Sequence, residues 1–76
     1  MDDMELVYCT DFIRFGKHDW RIEVRVIGGQ KTPLIMFRRI GDTGPWRYPA
    51  DFSGALPIGL VQFVLKNSVE IGRALS

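Results

Sequence analysis

The chain has 76 residues with one cysteine, one histidine and a formal net charge of +1, which fits a single domain. One cysteine cannot form an internal disulfide, and one cysteine with one histidine cannot complete a tetrahedral metal site, so we expect no metal or other cofactor and a reducing, intracellular setting. The longest uncharged run, residues 52–65, is shorter than the roughly 20 apolar residues that span a bilayer, so we expect no transmembrane helix and no membrane partner. A domain this small buries only a modest share of its surface on folding, so dimerisation would add to its buried apolar surface.

Charge is distributed unevenly along the chain. Residues 1–11 hold four acidic and no basic residues, whereas residues 14–47 hold eight basic and three acidic residues, a local charge of 8 − 3 = +5. We therefore divide the chain into an acidic N-terminal segment, residues 1–11, and a domain spanning residues 12–76. The N-terminal segment is predicted to form an extra strand over residues 5–10 or to pack loosely on the domain, since terminal segments are often disordered. The basic middle section predicts a polyanionic partner.

The middle of the domain predicts a β-hairpin. In residues 20–27 apolar residues alternate with charged ones, which is the two-residue period of a half-buried strand. Residues 28–33 contain Gly-Gly and Thr-Pro and predict the turn, and residues 34–39 predict the second strand of the hairpin. A short strand over residues 12–15 is predicted to precede it.

One face of this hairpin is predicted to carry arginines. Alternation places Arg21, Arg25 and Arg38 on one surface, and Arg14 lies on the outward face of the preceding strand. Two interpretations remain open. The surface binds a polyanion, or it is a solvated sheet face on which Glu23 pairs with a neighbouring arginine.

Residues 41–45 predict a turn, and Trp46-Arg47-Tyr48 follows it between two prolines. Exposed aromatic rings beside an arginine can stack on bases while the guanidinium holds a phosphate, as in proteins that bind single strands. The alternative is that these rings pack beneath a loop. Residues 51–56 predict a fourth short strand, weakened by Gly54.

Residues 57–76 predict one C-terminal helix, with Pro57 suited to its first turn. Between residues 58 and 65 the helix is apolar nearly all round, so it should contact its own sheet on one side and a second subunit on the other. A bend or interruption is also predicted at Asn67-Ser68. The predicted dimer interface comprises Leu60, Val61, Val64 and Leu65.

The order of these segments resembles the DNA-binding domain of the transcriptional positive cofactor four family over residues 12–75. The matching runs are Ile13-Arg14-Phe15-Gly16-Lys17, Ile22-Glu23-Val24-Arg25 and Leu34-Ile35-Met36-Phe37-Arg38, with a Gly-Lys turn between the last two. The resemblance implies an α+β fold, a four-stranded curved antiparallel sheet followed by one C-terminal helix (ββββα), with dimerisation through the helix. It also implies binding of single-stranded or melted DNA with little sequence preference.

The resemblance gives particular positions a role. Arg25 and Arg38 match basic residues that end the second and third strands of the family, and Lys31 matches its turn lysine. Ile27 stands where the family has a turn phenylalanine, and residues 49–54 lack the two basic residues that the family carries before its fourth strand. Related small proteins occur in bacteria and phages, which implies the cytoplasm or nucleoid of a bacterial cell, or the nucleus of a eukaryotic one.

The sequence therefore predicts a homodimeric single-stranded DNA-binding protein that has little sequence specificity, acts in transcription, replication or recombination, and is not an enzyme. It lacks a cysteine–histidine pair at a credible spacing, a Gly-rich phosphate loop and a carboxylate cluster. Contacts to the phosphate backbone and to the faces of bases tolerate RNA as well as DNA, so RNA is an equally suitable ligand. The alternative function is an adaptor whose basic face meets an acidic protein such as a polymerase or replication protein. The predicted nucleic-acid-binding residues are Arg14, Lys17, Arg21, Arg25, Lys31, Arg38, Trp46, Arg47, Tyr48 and Phe52.

Overall fold

The computed structural model describes residues 4–48 and 56–76, which form a four-stranded antiparallel sheet followed by two helices. The predicted α+β class is confirmed, but the prediction of a single helix is wrong. The chain departs from helical geometry at Asn67, one of the two positions where an interruption was predicted. The elements are β1 (Glu5–Cys9), β2 (Ile13–Phe15), β3 (His18–Ile27), β4 (Gln30–Arg39), α1 (Gly59–Lys66) and α2 (Ser68–Leu75).

Strands β3 and β4 form the predicted hairpin, with a shorter turn than the sequence indicated. The pairing runs without a break from His18 opposite Arg39 to Ile27 opposite Gln30. Only Gly28 and Gly29 lie between the strands, with φ values of 58° and 81°, which glycine adopts without steric cost.

The prediction that Thr32 and Pro33 belong to the turn is wrong, because both lie within β4. The backbone N–H of Phe37 points away from β3 and donates to the carbonyl of Arg47 at 2.9 Å. Pro33 lies four residues earlier and therefore has the same orientation. Its missing N–H falls on the outer edge of β4, where a proline breaks no bond to β3.

Strands β1 and β2 pair with successive parts of β3. Because β4 occupies one edge of β3 along its whole length, β1 and β2 share the other edge. Thr10 lies at the break between them and bonds to Ile22 twice, since its N–H donates to the Ile22 carbonyl at 2.9 Å and its Oγ1 accepts the Ile22 N–H at 3.0 Å. The N-terminal segment therefore contributes a strand over Glu5–Cys9, while the fourth strand predicted for residues 51–56 lies outside the described residues apart from Leu56.

The core lies between the sheet and the two helices. Strand β3 contributes Trp20, Ile22 and Val24, which are 0–2% exposed, so the predicted alternation of this strand is confirmed. The helices contribute Leu60, Phe63 and Ile71 to the same cluster. At Asn67, Nδ2 donates to the carbonyl of Phe63 at 2.8 Å, and this competition with the helical backbone accompanies the break between α1 and α2.

The first residue of helix α1 lies so close to the ring of Phe15 in β2 that a side chain there would displace the ring. A Cβ on Gly59 would lie 2.6 Å from Cε1 of Phe15, whereas a Cβ on Gly72 in α2 would meet nothing within 4 Å. We expect Gly59→Ala to lower the free energy of unfolding, because an overpacking cost of about 1–3 kcal/mol outweighs about 1 kcal/mol of helix propensity. Gly72→Ala is the matched control and should be stabilising. Urea unfolding measures both, and equal stabilisation of the two variants would contradict the close approach.

Candidate nucleic-acid interface

The side of the sheet that faces away from the helices carries the predicted arginines, and we call it the outer face. Its centre is Glu23, which is 0% exposed. The Nε atoms of Arg21 and Arg25 donate to the two oxygens of this carboxylate at 2.7 and 2.6 Å. The residues that define the outer face are Arg14, Asp19, Arg21, Glu23, Arg25, Met36 and Arg38.

This cluster corrects one interpretation of the alternating strand. Glu23 does pair with neighbouring arginines, but the centre of the face is not solvated, since the side chains of Arg21 and Arg25 are only 22% and 24% exposed. Met36, which also lies on this face, is 3% exposed. A buried carboxylate is tolerable only when its charge is compensated and its oxygens accept hydrogen bonds. The two flanking arginines meet both conditions.

A second ion pair lies where β2 meets β3. Arg14 Nε donates to Asp19 Oδ1 at 2.9 Å, and the Asp19 residue is 6% exposed. This hydrogen bond, together with the charge of the carboxylate, raises the pKa of Arg14 above its usual value. The Arg14 side chain is 57% exposed, so the guanidinium remains accessible to an anion from solution.

Trp46 lies across the outer face. Arg47 pairs with Phe37 through two backbone hydrogen bonds of 2.9 and 2.7 Å, which extend the sheet beyond the outer edge of β4. This pairing directs the neighbouring Trp46 onto the arginines, where its ring centroid lies 4.6 Å from Cζ of Arg21 and 4.4 Å from Cζ of Arg38. Both distances fall within the range of cation–π contacts. The Trp46 side chain is half-buried, so it packs on the sheet yet keeps part of its surface in solvent.

Tyr48 lies close to the N-terminal strand, near Arg25. Its hydroxyl donates to Sδ of Met4 at 3.2 Å, and the carbonyl of Met4 accepts a hydrogen bond from Nη1 of Arg25. Tyr48 is half-buried. Tyr48 thus joins the N-terminal segment to the arginines around Glu23, and the rings of both Trp46 and Tyr48 contact other parts of their own chain.

The described residues leave one hydrogen-bond donor of Arg38 without an acceptor. Its Nη1 donates to the carbonyl of Gly44 at 3.3 Å, but its Nε is buried and has no acceptor within residues 4–48 and 56–76. A buried donor without an acceptor costs about 1–3 kcal/mol. An acceptor oxygen that reached this N–H would recover that free energy.

The remaining predicted residues do not all join this cluster. Arg47 and Lys17 are exposed, and the carbonyl of Lys17 accepts the N–H of Ile40, so Lys17 lies at the end of the sheet where β4 finishes. Lys31 lies at the opposite end of the hairpin, roughly 30 Å away along the strands, with Nζ donating to the carbonyl of Ser76 at 2.9 Å. Phe52 lies outside the described residues.

Sequence reasoning missed Phe12, which is 54% exposed. Its ring centroid lies 6.4 Å from that of Trp46 at an interplanar angle of 46°. The signal was present in the sequence, because Phe12 alternates with the inward-facing Ile13 and therefore points to the same side as Arg14. The exposed Phe12 and the half-buried Trp46 together give the outer face an aromatic surface.

The four residues predicted for a dimer interface separate into two groups. Leu60 is 3% exposed within its own subunit and Val64 packs partly against the same core, so Leu60 has no surface to offer a partner. Val61 and Leu65 are 60% and 66% exposed. The all-round apolar pattern of α1 therefore divides into one stripe that faces the sheet and one that faces away from it.

Comparison with protein-family models, with curated proteins and with solved structures gave no match. Within the described part of the chain, no helix is long and apolar enough to cross a membrane. The same residues contain no group of three or more His, Cys, Asp or Glu side chains arranged to hold a metal ion.

Proposed function

We propose that this chain is a binding protein that holds single-stranded DNA on its outer face. The observation that carries the proposal is the Trp46 ring lying against the guanidinium groups of Arg21 and Arg38, with the exposed ring of Phe12 at its edge. Aromatic rings that stack on bases, next to cations that neutralise phosphates, are the two components of sequence-tolerant single-strand recognition.

The charge of the outer face supports the same ligand. Its four arginines and two carboxylates give 4 − 2 = +2. Asp19 and Glu23 hold three of the arginines in fixed positions while neutralising part of their charge.

This mode of binding favours single strands over duplexes. In a duplex the bases are stacked on one another and are not available to Trp46 or Phe12, whereas in a single or melted strand they are. Contacts to phosphates and to the faces of bases carry little sequence information, and they tolerate RNA as well as DNA. Such a protein would act inside the cell where DNA is opened, in transcription, replication or recombination.

The affinity for single-stranded and duplex oligonucleotides tests this function directly. In fluorescence anisotropy titrations we expect the single strand to bind at least about tenfold more tightly than the duplex of the same sequence. The logarithm of the affinity should fall with the logarithm of salt concentration with a slope of roughly −3, as expected for about four phosphates on a single strand. Preference for the duplex, or affinity that does not depend on salt, would contradict the proposal.

We also propose that the chain binds DNA as a homodimer joined through its helices. Ile58, Val61, Leu65 and Val69 are 89%, 60%, 66% and 63% exposed. The spacings of three and four residues place Ile58, Val61 and Leu65 along one stripe on the solvent side of α1, and Val69 follows beyond the break at Asn67, at the start of α2. An exposed apolar stripe of this kind is typical of a protein–protein contact. A dimer would carry two outer faces in one particle.

Replacing Val61 and Leu65 together by aspartate should separate the dimer. Both side chains are largely exposed, so the variant keeps its core but places charges in the proposed contact. Light scattering should give 2 × 8.7 = 17.4 kDa for the native protein and 8.7 kDa for the variant. Gln30→Asp, which adds a charge at the exposed end of the β3–β4 hairpin, is the control and should remain dimeric. A native mass of one chain would contradict this prediction.

One observation favours a protein partner as the second candidate function. Leu6, Val7 and Phe12 are 42%, 40% and 54% exposed along the N-terminal edge of the sheet, next to the arginine cluster. An acidic protein with an apolar contact surface, such as a polymerase or a replication protein, would fit that combination. Failure to bind either single-stranded DNA or RNA, together with retention on such a partner, would favour this adaptor over the nucleic-acid binder.

A further inference from the structure

A cleft lies beside the outer face. It opens between the N-terminal edge of the sheet and helix α1, and we call it the side cleft. Its volume is about 660 Å³, within the range of roughly 300–1,000 Å³ that is typical of ligand sites. Aromatic rings and polar side chains share its lining, which includes Tyr8, Phe15, Phe63, Gln62, Lys66 and Asn67.

The polar groups of the side cleft are suited to the edge of a base. Nδ2 of Asn67 donates to the Phe63 carbonyl at 2.8 Å, which holds this amide in one orientation and leaves Oδ1 as its acceptor. Gln62 is exposed and offers a donor and an acceptor. Amide side chains of this kind form the paired hydrogen bonds by which proteins distinguish bases.

The charge of the side cleft favours a neutral ligand over a phosphate. Asp11 and Lys66 both line it and contribute 1 − 1 = 0. The outer face, by comparison, carries +2 from its six charged side chains. A single strand that crosses both surfaces would therefore leave its phosphates on the outer face and direct a base into the cleft.

Phe12 connects the two surfaces. It lines the side cleft, and its ring centroid lies 6.4 Å from that of Trp46. We propose that the side cleft binds one nucleobase of the single strand that stacks on Trp46 and Phe12, and that Gln62 and Asn67 give this position a base preference. The inference rests on the proposed function, and it adds one selective position to an otherwise sequence-tolerant surface.

Nuclear magnetic resonance separates the two proposals. We titrate the ¹⁵N-labelled native protein with short homopolymers of each of the four deoxynucleotides. The tightest of them should shift the backbone amides of Gln62, Phe63 and Lys66 as well as the indole N–H of Trp46. Shifts that stay on the outer face would overturn the side-cleft proposal and leave the proposed function intact. The absence of shifts anywhere would contradict the proposed function itself.

Gln62→Ala tests the base preference. For the native protein we expect the tightest and weakest homopolymers to differ at least about fivefold in Kd, the lower end of the discrimination given by a paired hydrogen bond. In Gln62→Ala this ratio should fall below about twofold, while binding of the weakest homopolymer stays unchanged. Gln30→Ala, an exposed glutamine at the far end of the hairpin, is the matched control, and light scattering checks that both variants keep the native mass. An equal ratio in the native protein and Gln62→Ala would overturn the proposal.

Discussion

Replacing Glu23 by alanine should lower the free energy of unfolding by about 3–5 kcal/mol, the usual cost of removing one partner from a buried ion pair. Glu23 is 0% exposed, and its two oxygens accept the Nε–H groups of Arg21 and Arg25. Without the carboxylate, two half-buried guanidiniums would face each other with no counter-charge. Their repulsion and their lost hydrogen bonds add to the cavity left by the side chain.

Urea unfolding of Glu23→Ala measures this cost, and Glu70→Ala is its matched control. Glu70 pairs with Arg73 at 3.4 Å on the surface of α2, where the two side chains are 53% and 74% exposed. Exposed pairs of this kind contribute about 0–1 kcal/mol. If Glu23→Ala lost no more stability than Glu70→Ala, the ion pairs of Glu23 with Arg21 and Arg25 would not contribute substantially to the free energy of unfolding.

Glu23 also links the stability of the sheet to the geometry of the proposed binding surface. Its carboxylate holds Arg21, which is one of the two guanidiniums under the Trp46 ring. A change at Glu23 that left the fold intact, such as Glu23→Gln, would therefore change both the positions of the arginines and the net charge of the outer face. The carboxylate limits the attraction of the face for polyanions while keeping its cations ordered.

The hairpin and the class of fold were predictable because the signals for them are local. Alternation in β3 identified its buried side, and Gly28-Gly29 identified the reversal of the chain. The extent of β4 was not predictable from the residues around the turn alone. Pro33 is acceptable in a strand only at an outer edge, and which edge is outer depends on where β1 and β2 pair. A local turn signal at Thr32-Pro33 was thus overridden by the topology of the sheet.

The candidate site was predictable in composition but not in arrangement. Alternation placed Arg21, Arg25 and Glu23 on one face, yet nothing in the sequence indicated that Glu23 would be fully buried. The position of Trp46 over Arg21 and Arg38 was not predictable either, because it depends on the chain returning after β4 so that Arg47 pairs with Phe37. Leu60 illustrates the same limit in the helix, because an all-round apolar segment does not reveal which residues face the chain's own sheet.

Replacing Trp46 by alanine should weaken the binding of a single-stranded oligonucleotide roughly 5- to 150-fold, since stacking on an aromatic ring contributes about 1–3 kcal/mol per base. The ring also contacts Arg21 and Arg38, so its removal leaves both guanidiniums more mobile and more hydrated. Trp46→Phe, which keeps a ring at this position, should lose less affinity than Trp46→Ala.

Arg38→Ala and the double variant show whether the ring and the guanidinium act together. Because Trp46 and Arg38 are in contact, the double variant should lose less affinity than the sum of the two single losses. Arg73→Ala removes an arginine from α2, where it pairs with Glu70, and serves as the control for loss of charge alone. Circular dichroism establishes that each variant is folded before its affinity is measured by anisotropy. A folded Trp46→Ala that bound single strands as tightly as the native protein would show that stacking on Trp46 contributes nothing to binding.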